Sequence, residues 1–73
     1  METHEVKQQV TEVCRKIKGH RLAKGYSPLS IAEKAGISIN TLRKIENCQT
    51  KLTVARLIAI AGALDISVLD LLK

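Results

Sequence analysis

Residues 27–47 read SPLSIAEKAGISINTLRKIEN, which predicts two short helices separated by a tight turn. Ser27 can cap the first of them, and Pro28 suits the first helical position, where a missing N–H and a fixed φ cost nothing. Gly36 tolerates the left-handed conformation that ends a helix, and Ser38 can cap the next one. Together with the spacing of the apolar residues, this pattern predicts a helix-turn-helix.

The second of these helices has one polar face. At about 100° per residue, four polar residues share an arc of about 100°, opposite Leu42 and Ile45; the four are Asn40, Arg43, Lys44 and Asn47. Amide and cationic side chains on an exposed helix can bind base edges and phosphates in a major groove. Taken alone, the helix is equally compatible with an ordinary solvated face.

Composition favours a small helical domain. The chain has 73 residues, with 12 Lys or Arg against 7 Asp or Glu, for a net charge of +5, and it lacks Phe and Trp. The core must therefore consist of Leu, Ile, Val and Ala, which favours packed helices. We predict one all-α domain spanning residues 1–73. The positive charge suits a polyanionic partner without identifying it.

Three further helices are predicted around the central pair. The first runs over about residues 3–24, is capped by Thr3, ends at Gly25 and carries one apolar stripe composed of Val6, Val10, Val13 and Ile17. The fourth runs over residues 54–63, is capped by Thr53 and has a predicted buried stripe of Val54, Leu57, Ile58 and Ala61. The last runs over residues 68–72, and the central pair over residues 28–35 and 39–46.

Several classes of protein and site are excluded. Two cysteines far apart in the chain, with no secretory segment, indicate reduced thiols in a cytoplasmic protein. No apolar run approaches the ~20 residues that cross a bilayer. We expect no metal site, because His4 and Cys14 would be separated by ~15 Å along a helix and no close pair of ligands exists, even with His20 and Cys48 included. We also expect no cofactor and no small-molecule ligand.

An enzymatic function is not expected. The chain has no paired carboxylates with an obvious cleft, no glycine-rich phosphate loop and no nucleophile beside a base. It is also too short to enclose a deep pocket.

Several motifs in fixed register extend from Ile17 to Leu72. They are Ile17-x-x-x-Arg21-x-x-x-Gly25-x-Ser27, Ile31-Ala32-x-x-x-Gly36-Ile37-Ser38, Leu42-x-x-Ile45-Glu46 and Ala61-x-Ala63-Leu64-x-Ile66-Ser67. On these motifs the chain resembles the phage Cro and repressor type helix-turn-helix family, small transcriptional regulators that include restriction-modification controller-like proteins. The resemblance implies a compact, lambda repressor-like domain of five helices that binds operator DNA.

The resemblance also implies roles for individual residues. It places a structural ion pair at Arg21 and Glu46. Its base-reading positions fall on Ile39, Asn40 and Lys44, with Arg43 beside them. Asn40 would pair with adenine, Lys44 with guanine, and Ile39 would contact a thymine methyl group.

Phosphate contacts are expected from two places. One is the start of the second helix at Ser27, and the other is the loop of residues 47–51, which is rich in N–H donors; the loop residues concerned are Asn47, Gln49, Thr50 and Lys51. The chain departs from the family twice. Pro28 replaces the usual Gln, and Cys48 replaces the usual Gly, so that Asn47 is expected to take the left-handed turn and to move toward phosphate.

Exposed apolar residues suggest a homodimer. Leu69 and Leu72 remain outside the predicted core, and Val6 and Val10 of the first helix can join them. A twofold dimer would present two recognition helices about one turn of DNA apart, which suits a palindromic operator.

The sequence therefore predicts a sequence-specific regulator that binds double-stranded DNA in the cytoplasm of a bacterium, encoded by the bacterium or by a phage. The alternative is an antitoxin or bridging type of interaction module with the same fold, whose main contacts are with another protein.

Overall fold

Five helices make up residues 4–73, the part of the chain that the computed structural model describes. They are α1 (His4–Ala23), α2 (Pro28–Ala35), α3 (Ile39–Glu46), α4 (Val54–Ala63) and α5 (Val68–Leu72). The all-α, lambda repressor-like prediction is confirmed, and no strand occurs over residues 4–73. Thr3, the expected cap of the first helix, lies outside the described residues.

Side-chain caps begin four of the helices. The hydroxyl oxygens of Ser27, Ser38 and Thr53 each accept a hydrogen bond from the backbone N–H three residues later, as predicted. Before α5, the Ser67 hydroxyl accepts from the Leu69 N–H while the Asp70 carboxylate accepts from the Ser67 N–H. These bonds satisfy N–H groups that have no partner within the helix.

The first four helices end in the same hydrogen-bonded turn. In each, one residue adopts a positive φ, and the N–H of the residue after it reaches back five positions to a carbonyl of the helix. Gly25 and Gly36 fill this place after α1 and α2, with φ of 73° and 72°. Cys48 and Asp65 fill it after α3 and α4, with φ of 58° and 57°.

The turn after α3 corrects one prediction. Asn47 does not take the left-handed conformation, since its φ is −93° and its ψ is 6°. Cys48 takes it instead, because the N–H groups of Cys48 and Gln49 must bond to the carbonyls of Ile45 and Lys44, and that pairing requires the bend at Cys48.

The core consists of aliphatic side chains from all five helices. α2 packs against α3 and α4, while α1 packs against α3 and α5. The largest fully buried side chains are those of Ile17, Ile31, Leu42, Ile45, Ile60, Leu64 and Leu71, together with the smaller Cys14. This packing fixes the position of α3, whose remaining surface faces away from the core.

The predicted buried stripe of α4 is wrong in half of its members. Val54 is 72% exposed and Ile58 is 57% exposed, whereas Ile60 and Leu64 are fully buried. Because α4 is apolar almost all round, more than one set of residues spaced three and four apart satisfies the helical pattern. Only the packing of α4 against α2 and α5 selects the stripe that is buried.

Candidate nucleic-acid interface

The two faces of α3 differ sharply. Leu42 and Ile45 have no exposed surface, whereas the predicted base-reading residues Asn40, Arg43 and Lys44 are exposed. The core thus holds one side of the helix and leaves the polar side open. That side of α3 can contact an extended ligand along the full length of the helix.

Ile39 lies differently from its neighbours. It is half-buried and packs against the core at the start of α3. Only its outer surface could contact a thymine methyl group, so its base-reading capacity is smaller than the sequence suggested.

Arg21 and Glu46 join α1 to the last residue of α3, as the resemblance implied. The Arg21 Nε lies 2.8 Å from Glu46 Oε2, and Arg21 Nη2 lies 3.0 Å from Glu46 Oε1. The third guanidinium nitrogen donates to the Tyr26 carbonyl at 3.1 Å. The two side chains are only 8% and 6% exposed, and the hydrogen bonds to Glu46 raise the pKa of Arg21.

The loop after α3 offers fewer N–H donors than predicted. The backbone N–H groups of Asn47, Cys48 and Gln49 already donate to carbonyls of α3, because the turn that ends the helix uses them. The side chains of Asn47, Gln49 and Lys51 are exposed, and Thr50 is half-buried. Phosphate binding by this loop would therefore rest mainly on side chains.

Arg56 supports the same loop. Its Nη1 donates to the Lys51 carbonyl at 3.2 Å, and its backbone N–H donates to the Thr53 hydroxyl. The contact of Arg56 with the Lys51 carbonyl could not be predicted from sequence, because a bond to a backbone oxygen leaves no pattern in side-chain types. Arg56 holds the end of the loop at the start of α4.

Residues 49–51 also form one wall of a shallow cleft. Lys7 and Thr11 of α1 line the opposite wall. The helical pattern of α1 did not reveal this neighbourhood, because residues 4–16 lie far from the loop in sequence. The structure thus adds a second cation beside the lysine of the predicted phosphate-binding loop.

The start of α2 has only part of the geometry that anion binding needs. The Ser27 side chain is exposed, but its oxygen already accepts from the Ser30 N–H at 3.1 Å. Its hydroxyl hydrogen can still be donated to a phosphate. Pro28 occupies the first helical position and has no N–H to contribute.

The four predicted dimer residues are exposed but do not all meet. Val6 and Val10 are 41% and 39% exposed, and together with Leu72 they line an apolar groove between α1 and the first turn of α4. Leu69 is 62% exposed and lies outside that groove. The predicted interface therefore has two parts, the groove and the exposed side chain of Leu69.

Residues 4–73 contain no group of three or more His, Cys, Asp or Glu side chains placed to hold a metal ion. None of the helices in this range has the length and hydropathy to cross a membrane.

Known proteins resemble the chain in sequence and in fold. The helix-turn-helix family model matches residues 17–71. The HTH-type transcriptional regulator SinR of Bacillus licheniformis is 42% identical over 60 residues, which are 81% of this chain and 54% of SinR. The chain thus spans about half the length of the curated relatives that it matches.

Two solved structures show the similarity of fold. The structure of SinR, the master regulator for biofilm formation, in complex with DNA has a TM-score of 0.74 and 40% identity, covering 84% of this chain and 98% of that one. The restriction-modification controller protein C.AhdI of Aeromonas hydrophila has a TM-score of 0.83 at 23% identity, covering 88% and 97%. The second supports the fold alone.

The matched range covers Arg21, α2, α3 and the loop after α3, but not residues 4–16 of α1 or Leu72. The curated relatives that the chain matches are transcriptional regulators. The chain belongs to the Cro and repressor type helix-turn-helix family.

Proposed function

We propose that this chain is a sequence-specific transcriptional regulator that binds double-stranded DNA in the bacterial cytoplasm, with α3 in the major groove. The observation that carries the proposal is the division of α3 into a fully buried apolar face and an exposed face of amides and cations. A related protein, SinR, has been solved in complex with DNA.

Base choice is assigned to three exposed residues of α3. The Asn40 amide can donate to and accept from adenine, and Lys44 can donate to guanine O6 or N7. Arg43 extends the same face and can reach guanine or phosphate. Ile39 contributes a smaller apolar contact because half of it is covered by the core.

Phosphate contacts are assigned to the rims of this face. Ser27 lies at the start of α2, where the helix dipole favours an anion. The side chains of Asn47, Gln49, Thr50 and Lys51 follow the end of α3. These contacts fix the orientation of the protein on DNA without reading its sequence.

The chain is proposed to act as a homodimer on a palindromic operator. One helix of eight residues reads few base pairs, whereas a twofold dimer presents two such helices to half-sites about one turn of DNA apart. The exposed apolar side chains of Val6, Val10, Leu69 and Leu72 are the proposed contact surface.

Salt dependence of binding tests the DNA proposal. Binding to a duplex must weaken steeply between ~50 and ~200 mM salt if several phosphates are neutralised. Lys51→Ala should lower the slope of log affinity against log salt by about one, whereas Lys51→Arg should keep it. If the chain shows no salt-dependent binding to duplex DNA, the result would instead support the alternative, an antitoxin or bridging module that binds another protein.

Sedimentation at micromolar concentration tests the dimer. Leu69→Glu should shift the protein to monomer, because it places a charge in the apolar contact. Leu22→Glu is the matched control, since Leu22 is also exposed (58%) but is no part of the proposed surface. An undiminished dimer in Leu69→Glu would exclude this residue from the interface.

A further inference from the structure

Two thiols meet where α1 passes the end of α3. Cys14 lies in α1 and is fully buried, whereas Cys48 directly follows α3 and is exposed. The Cys48 Sγ lies 3.9 Å from the carbonyl oxygen of Thr11, which is about one helical turn before Cys14 on α1, and the Cys48 thiol is near enough to raise the pKa of Cys14. Both cysteines are free thiols.

The DNA-binding proposal uses neither thiol. Cys14 faces the core from α1, and Cys48 lies in the turn that ends α3, at a φ of 58° that suits glycine better than cysteine. The backbone of this turn therefore gives no reason for a cysteine. The contact of its thiol with Cys14 does give one.

The surroundings of the two thiols give them different protonation and different access to an oxidant. Burial, and then the hydrogen bond to Cys48, raise the pKa of the Cys14 thiol to about 12, so that Cys14 stays protonated at neutral pH. A solute oxidant cannot reach Cys14 directly because its surface is closed to solvent. Cys48 is the thiol that such an oxidant meets first.

We propose that Cys14 and Cys48 are a hydroperoxide-sensitive dithiol that closes to an intrachain disulfide. In the first step, the Cys48 sulfur attacks one oxygen of the hydroperoxide, the O–O bond breaks, and Cys48 becomes a sulfenic acid while an alcohol or water leaves. In the second step, the Cys14 sulfur displaces the hydroxyl group from Cys48. The Cys14 proton leaves with that hydroxyl as water. The two thiols are oxidised by two electrons, and the peroxide is reduced.

Closure would tie α1 covalently to the last turn of the recognition helix. Cys48 lies between Asn47 and Gln49, two of the proposed phosphate-binding residues. The S–S bond requires the Cys48 sulfur, which already contacts α1 about one helical turn from Cys14, to move within bonding distance of the Cys14 sulfur. The modification does not depend on the DNA-binding proposal.

Peroxide treatment of the reduced chain, followed by intact-mass and peptide-map analysis, tests the proposal. The treated protein should lose two hydrogen atoms, remain monomeric in a non-reducing denaturing gel, and yield one peptide pair joined through Cys14 and Cys48. Dithiothreitol should restore both thiols. N-ethylmaleimide should label Cys48 alone in the folded reduced protein and neither cysteine after oxidation.

Variants that lack one cysteine test which thiol reacts in each step. In Cys14→Ala, oxidation should stop at a Cys48 sulfenic acid that dimedone traps, and in Cys48→Ser the peroxide should leave Cys14 unmodified. Helical circular dichroism checks that each variant is folded. The parent protein alone decides the matter if Cys14→Ala fails to fold: a parent in which Cys14 stays free while Cys48 is oxidised, or in which disulfides form only between chains, overturns the proposal.

Discussion

The start of α3 is held by residues adjacent in sequence, whereas its end is held by α1. At the start, the Ser38 hydroxyl accepts from the Thr41 N–H at 3.0 Å and donates to the Thr41 hydroxyl at 2.8 Å. Gly36 supplies the left-handed turn just before it. These contacts span three residues at most, so any chain with this local sequence could form them.

The end of α3 also closes in a local turn, but no glycine occupies the left-handed position of that turn. Glu46 bonds to Arg21 of α1, and Cys48 bends the chain in place of a glycine while its thiol contacts α1. Tertiary contacts here replace the backbone preference that a glycine would supply. The orientation of the proposed recognition helix therefore depends partly on α1, although α1 carries none of the proposed base-reading residues.

The largest effect is expected from breaking the ion pair. Glu46→Ala leaves the Arg21 charge buried without a partner, which should lower the free energy of unfolding by ~3–5 kcal/mol. Urea unfolding followed by circular dichroism measures it. Glu33→Ala, on the exposed side of α2, is the control and should change stability by less than ~0.5 kcal/mol. Equal stability of Glu46→Ala and the parent would show that α1 does not hold the end of α3.

Substitutions in the two turns that flank α3 should change stability by smaller amounts, and by different amounts in the two turns. Gly36→Ala should cost ~1 kcal/mol, because an L side chain is disfavoured at a φ of 72° although no atom lies within 4 Å of the added methyl group. Cys48→Gly relieves the same strain but loses the thiol contacts, so its stability should differ from the parent by less than ~1 kcal/mol. A neutral Gly36→Ala would refute the role of local backbone preference at the start.

The smallest effect at neutral pH is expected from Cys14. Its pKa is higher in the folded chain than in the unfolded chain, so the unfolded state binds fewer protons once the pH exceeds the ordinary thiol value. This contribution to stability should be complete below about pH 9 and lost as the pH rises toward about 12. Unfolding from pH 7 to pH 11 should show a steeper loss in the parent than in Cys14→Ala. Parallel curves would mean that the thiol is not perturbed.

Local signals made much of the fold predictable. Ser27, Ser38 and Thr53 were identified as caps from residue type alone, and Gly25 and Gly36 as left-handed turns, because these preferences arise within a few residues. The Arg21 and Glu46 contact was expected only through the resemblance. No spacing rule connects residues 25 positions apart.

Other features required the tertiary structure. The buried stripe of α4 was wrong at Val54 and Ile58 because an apolar helix carries no periodic signal to choose among its faces. The left-handed residue after α3 was assigned to Asn47 on residue preference, whereas the hydrogen bonds of the turn place it at Cys48. Arg56, Lys7 and the pair of thiols act through neighbours that are distant in sequence.

Selection of bound sites from random duplex DNA tests the central claim most directly, with the parent and Lys44→Ala measured side by side. The account predicts that the parent enriches a palindrome whose half-sites lie about one helical turn apart, and that Lys44→Ala changes the preferred base at one symmetric pair of positions. Enrichment of no sequence by the parent, or of the same sequence by both proteins with equal preference, would contradict the assignment of α3 as the helix that reads DNA.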